Sequence, residues 1–163
     1  MPNYNYQKID NLVVDADLLQ ILSDSNNFPS FKNLKLGSTF DYTQTLDQSF
    51  FKVFIDNALL GYIWFNVEQE DFGYGSKSLI EVSFAKSNTA KHLEKKIFID
   101  KVLQDLNQIK SLLPGEWFNA DTNKWIGVIQ PKNINGIHIK EKLEANGFQF
   151  NFNDSAFVKP VNS

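Results

Sequence analysis

The stretch Trp125 to Phe152, WIGVIQPKNINGIHIKEKLEANGFQFNF, decides how the rest of the chain is read. Trp125 to Ile129 is a short apolar run of strand length. A loop carrying Asn133 and Asn135 follows, and asparagine suits the start of a helix. The helix is expected from about Asn135 to Ala145, and Asn146-Gly147 supplies its stop. Phe148, Phe150 and Phe152 then alternate with Gln149, Asn151 and Asn153. That is the period of a half-buried strand, with the phenyl rings expected in the core or on the sheet. Ala156 to Lys159 is expected as a last strand.

Upstream, the pattern predicts a long helix over about Ala90 to Leu113. Ile99, Val102, Leu103, Leu106, Ile109 and Leu113 recur at spacings of three and four and make one apolar face. Pro114-Gly115 ends it. Before it, Ser78 to Ala85 alternates, with Ile80, Val82 and Phe84 on one face and Glu81, Ser83 and Ala85 on the other. Phe50 to Ile55 and Leu59 to Val67 read as a hairpin around Asp56-Asn57. Glu68 to Lys77, with Gly73 and Gly75, reads as the next connection. The three strands predict an antiparallel meander. Tyr4 to Ile9 is a candidate first strand, and Leu18 to Leu22 a short helix capped by Asp15 or Asp17. Ser23 to Thr45 is polar, with scattered Phe28, Phe31 and Phe40, and its periodicity selects neither a helix nor a loop.

Composition narrows the function classes. A chain of 163 residues with 42% hydrophobic and 21% charged content fits one globular domain, 1–163. There is no cysteine, so thiol catalysis and thiolate metal sites are excluded. All 16 basic residues are lysine. No guanidinium fork is available for phosphate or guanine, and the net charge is −3, so nucleic acid is not expected as a partner. MPNYNYQKID is polar, and no apolar run reaches the length of a membrane span. A cytoplasmic protein with no membrane partner is therefore expected. From Lys86 to Lys101 five lysines face Glu94 and Asp100, a local charge of +3 that leaves −6 for the remainder. Such a run also fits a solvated helix face.

Meander, long helix, strand, helix, strand: over roughly Phe50 to Lys159, about two-thirds of the chain, this succession resembles the GCN5-related N-acetyltransferase family. The resemblance implies an α+β fold of the acyl-CoA N-acyltransferase-like kind. Its central sheet would be mixed and mostly antiparallel, with helices on both faces. It also implies that the third meander strand parts from the next one, leaving backbone for the pantetheine arm of acetyl-CoA as co-substrate. The parted strand would be Leu79 to Ala85, with Val82, Ser83 and Phe84 along the arm. The pyrophosphate loop would be KSNTAK: Lys86, Ser87, Asn88, Thr89, Ala90 and Lys91. A helix N-terminus independently favours an anion. Asn133 or Asn135 would stand near the arm. Two departures are visible. The loop has no glycine, which the family uses for close backbone approach. The family's helical tyrosine is replaced by Lys140 or Leu143, depending on register, and three extra residues, Glu144 to Asn146, precede Gly147-Phe148.

Amine acetylation needs a base near the thioester and a donor for the departing thiolate. Glu81, on the side of its strand beside the implied cleft, is the candidate base; an outward-facing strand carboxylate is the plainer alternative. Tyr74, between Gly73 and Gly75, is the candidate donor, or a surface turn aromatic. Glu68 and Asp71 are candidates to line the acceptor mouth. His92 and His138 lack the partners of a metal site. Trp64, Trp117 and Trp125 are expected in the core. The readings that follow are an N-acetyltransferase acting on a primary amine of a small molecule or peptide, or a catalytically inactive protein of the same fold that binds a ligand or protein. An unrelated α+β protein is a third. A homodimer stays open.

Overall fold

A computed structural model describes residues 3–9, 12–13, 39–40, 48–87, 92–129 and 136–161. Seven strands form the main sheet: β1 (Tyr4–Ile9), β4 (Gln48–Ile55), β5 (Ala58–Asp71), β6 (Ser76–Lys86), β7 (Thr122–Gly127), β8 (Gln149–Asn151) and β9 (Ala156–Pro160). Their order is β1-β4-β5-β6-β7-β9-β8. Every neighbouring pair is antiparallel except β6 and β7, which run parallel. β2 (Leu12–Val13) and β3 (Thr39–Phe40) make a separate two-stranded ladder. The mixed, mostly antiparallel sheet is the one expected. The short helix expected at Leu18 to Leu22 lies outside the described residues.

The meander forms for the reasons its alternation suggests. Asp56 and Asn57 both take positive φ, 46° and 71°, the backbone of a tight hairpin turn that matches strand twist. Phe51, Val53, Ile63, Phe65, Ile80 and Val82 line one face and are buried. Against that face pack α1 (His92–Gln104), α2 (Leu106–Lys110) and α3 (Gly136–Ala145). Phe98, Val102, Leu106, Ile109 and Leu143 join the same buried cluster, with Trp117 and Trp125. On the opposite face Phe50 stacks on Trp64, with ring centroids 5.1 Å apart.

Gly61 is needed for close approach. A Cβ there would stand 2.5 Å from the Ala85 carbonyl oxygen and 3.0 Å from a Phe98 ring carbon. The first neighbour is backbone and cannot step aside. Gly61→Ala is therefore expected to cost about 1–3 kcal/mol by overpacking. A thermal melt should show the midpoint falling by roughly 3–10 °C.

Three sequence expectations are corrected. The long helix is broken at Asp105, whose φ and ψ are −96° and 10°. Its carboxylate accepts a hydrogen bond from the Tyr6 hydroxyl at 2.6 Å and pairs with Lys101 at 3.1 Å. The break coincides with this tie to β1, which no local pattern records. Second, Glu68 to Lys77 is not a loop. β5 and β6 stay paired out to Asp71 opposite Ser76, and only residues 72–75 connect them. Third, Phe148 is buried and Phe150 packs edge-on against Phe157 of β9 at 5.4 Å, as expected, but Phe152 is 88% exposed. β8 is a three-residue strand at the sheet edge, and Phe152 already belongs to the turn beyond it.

Candidate active site

The parallel ladder between β6 and β7 runs only from Lys77 opposite Thr122 to Glu81 opposite Ile126. β7 ends one residue later, at Gly127. β6 continues to Lys86, held on its other edge by β5, and Ser87 N–H donates to Leu60 O at 2.9 Å. From Val82 to Ala85, no described strand pairs with the edge of β6 that faces away from β5. Backbone N–H and C=O groups in the middle of a sheet ordinarily find partners. An opening between two adjacent strands is therefore a row of donors and acceptors available to an extended ligand.

β7 leaves β6 and pairs with β9 on its far side, Gly127 opposite Phe157. Gly127 also lets α3 sit close. A Cβ there would meet both Leu143 methyls within 2.9 Å. Lys142 of α3 bonds Asp100 of α1 at 2.7 Å, and Asn146 bonds the same carboxylate at 3.1 Å. The helix after β6 and the helix after β7 are thus tied together.

Glu81 is the residue at which the ladder stops. It is half-buried and faces away from Ile80 and Val82, on the side of the sheet that carries Trp64. Burial, then the negative charge of Glu68, pushes its carboxyl above the usual glutamate range. Glu68 belongs to β5 and stands opposite Leu79, so it shares that face. Asn66 is the residue directly across from Glu81. Sequence reasoning did not single out Asn66. Its place between Phe65 and Val67 in an alternating strand was the available signal, because it assigns Asn66 to the Glu81 side.

The other predicted residues divide. Val82 is buried, while Ser83 and Phe84 are half-buried along the open edge; the Phe84 ring turns toward α1 and meets Phe98 edge-on at 6.2 Å. Lys86 ends β6 opposite Gly61. Ser87 is fully buried, and its amide is committed to Leu60 O. That amide is therefore not offered to phosphate, because β6 follows β5 one residue past its assigned end. Asn88, Thr89, Ala90, Lys91, Asn133 and Asn135 lie outside the described residues. Tyr74 is not brought to the opening. It sits in the hairpin turn, 92% exposed, with its ring stacked on Phe72 at 5.9 Å. Five residues of strand separate Ser76 from Glu81, roughly 17 Å. Asp71 is at that same far end. A groove of about 450 Å³ between α2 and a 3₁₀ turn at Gly115–Phe118 is lined by Asn107, Lys110, Ser111, Leu113, Gly115 and Phe118, none of them a predicted site residue.

No family model matches the chain. No curated protein matches it either. Solved structures overlap it loosely. An AtaT mutant toxin bound to the C-terminus of the antitoxin AtaR is 10% identical, with 97% of this chain and 93% of that chain covered and a TM-score of 0.47. The aminoglycoside acetyltransferase AAC(6')-Ib in complex with coenzyme A is 12% identical, with coverages of 96% and 95% and a TM-score of 0.46. FeeM, an N-acyl amino acid synthase from uncultured soil microbes, is 14% identical, with coverages of 99% and 91% and a TM-score of 0.43. Overlaps this loose carry no functional conclusion, which rests on the chain's own geometry. No helix among the described residues is long and apolar enough to cross a membrane.

Proposed function

We propose that the chain transfers an acetyl group from acetyl-CoA to a primary amine of a small molecule or peptide. The observation that carries this reading is the parting of β6 from β7 at Glu81, which leaves Val82 to Ala85 with no described strand on one edge. The open edge suits the amide-bearing pantetheine arm, which can bond to backbone as a strand would. Backbone N–H groups there can also polarise the thioester carbonyl. Glu81 stands at the mouth of the opening and takes the proton that the amine sheds on attack. Its raised pKa makes it a stronger base than an ordinary glutamate.

The inactive-module reading has one observation in its favour: Tyr74 is remote from the opening, so no described side chain is assigned to protonate the thiolate. Release of free CoA thiol, followed with acetyl-CoA and a panel of primary amines, separates the two. Amine-dependent release above the uncatalysed rate is expected. Release that no amine accelerates supports the inactive module.

A further inference from the structure

Each rim of the opening leans on a helix. On the β6 side, the Phe84 ring meets Phe98 of α1 edge-on at 6.2 Å, and Phe98 is fully buried. On the β7 side, Gly127 lies so close under α3 that an added Cβ would stand 2.8 Å from a Leu143 methyl. Asp100 follows Phe98 by two positions in α1, and Lys142 precedes Leu143 in α3. Positions one or two apart on a helix face different ways, so Phe98 and Leu143 serve the sheet while Asp100 and Lys142 meet each other. Asp100 Oδ2 accepts from Lys142 Nζ at 2.7 Å, and Oδ1 accepts from Asn146 Nδ2 at 3.1 Å. Asn146 Nδ2 also donates to Lys142 O at 2.8 Å, which fixes the amide. Both oxygens of one carboxylate on α1 are thus spent on α3. A run of contacts leads from Phe84 through Phe98, Asp100, Lys142 and Leu143 to Gly127, from one rim to the other.

We infer that Asp100 is a positioning residue for the cofactor: by holding α1 to α3 it fixes the width of the opening between β6 and β7. The inference rests on the acyl-transfer reading. Beyond Glu81 no ladder sets the spacing of the two strands. An arm seated between them as a strand needs rims about two strand spacings apart, roughly 10 Å. A narrower gap shuts it out, and a wider one leaves one row of backbone bonds unmade. With the tie, the free chain already holds the useful width. Without it the width spreads over several values, and the apparent dissociation constant rises as the fraction of chains at the right width falls. Both partners of the ion pair are partly exposed. Losing it shifts that fraction by about 3- to 10-fold.

The test titrates acetyl-CoA alone, with no amine present, into the intact chain, Asp100→Lys, Lys142→Glu and the double variant that reverses the pair. Each single variant should bind about 3- to 10-fold more weakly, and the double variant should recover. The singles change the net charge in opposite directions, so a loss shared by both is not an electrostatic pull on the cofactor's phosphates. In turnover, KM for acetyl-CoA should rise with the dissociation constant while kcat holds, since Glu81 and the open edge are untouched. A bond of merely structural value would lower the thermal midpoint and leave the dissociation constant of the folded chain unchanged. Should either single fail to fold, Asp100→Ser and Lys142→Met take their place with a loss in the same direction. Equal dissociation constants in the intact chain and the singles, or a double variant as weak as the singles, overturns this inference and leaves acyl transfer standing. An intact chain that neither binds acetyl-CoA nor releases thiol with any amine overturns both.

Discussion

Glu81→Gln is expected to lower kcat by about 10²- to 10⁴-fold, the usual contribution of a positioned base. The KM for acetyl-CoA should stay near its wild-type value, because the amide keeps the shape of the strand and touches no proposed cofactor contact. The same substitution should hold or raise the thermal midpoint. Glu81 has a folded-state pKa above its unfolded value. Its ionisation costs the fold nothing below the unfolded value, costs more as pH climbs between the two, and costs the full amount above the folded value. Glutamine carries no such cost at any pH. The pH profile gives a second reading. kcat/KM should fall on the acid side through a pKa higher than that of an ordinary glutamate, as the base is protonated. Glu68→Gln should move that limb to lower pH, since the charge of Glu68 is the second cause of the shift. Equal kcat in wild type and Glu81→Gln would remove Glu81 from the mechanism.

Asp154→Ala should give the largest loss of stability. The Asp154 side chain is 1% exposed, and its two oxygens accept from Lys77 at 2.7 Å and Lys124 at 3.2 Å. One carboxylate in the β8–β9 turn therefore clips β6 to β7 where their ladder is closed. Asn151 Oδ1 holds that turn, accepting from the amides of Asn153 and Asp154 at 2.9 and 3.2 Å. Burial alone would raise the Asp154 pKa. The hydrogen bonds from Lys77 and then Lys124, with their charges, outweigh it and hold the carboxyl below the usual range. Removing the carboxylate leaves two lysines without their shared partner, at a cost of about 2–4 kcal/mol. Both lysines still reach water, which keeps the cost below that of a fully buried pair. A thermal melt at neutral pH should show a midpoint roughly 5–15 °C lower. The stabilisation is present above the unfolded-state pKa and fades as pH falls through the depressed folded value. The gap between wild type and Asp154→Ala should therefore narrow in strong acid. A variant that melts with the wild type at neutral pH would refute the clip.

Local pattern made much of the fold legible. β1 was readable from Tyr4 to Ile9, the hairpin from Asp56-Asn57, and α3 from its Asn146-Gly147 stop, because each is specified by residues near in sequence. What stayed hidden depends on distant partners. The bend at Asp105 goes with a tyrosine 99 residues away. The clip joins Lys77 and Lys124 to a residue 77 and 30 positions later. β5 runs on through Glu68 to Asp71 although acidic residues suit strands poorly, since β6 stays alongside as a partner. Phe152 misleads for the opposite reason. Alternation reports a face, while burial needs something packed on it, and β8 lies at the sheet edge. At the candidate site, Glu81 was readable from its face. The end of the ladder beside it was not, because it is a property of strand pairing.

The thermal midpoint with and without acetyl-CoA tests the central claim most directly, since a ligand seated between the parted strands binds the folded chain only. Acetyl-CoA at a hundred times its dissociation constant adds about 2.7 kcal/mol. For a chain of this size the midpoint should rise by roughly 5–10 °C. Glu81→Gln should show the same rise, because it alters the base and leaves the open edge of Val82 to Ala85 intact. An unchanged midpoint at millimolar acetyl-CoA would contradict the account.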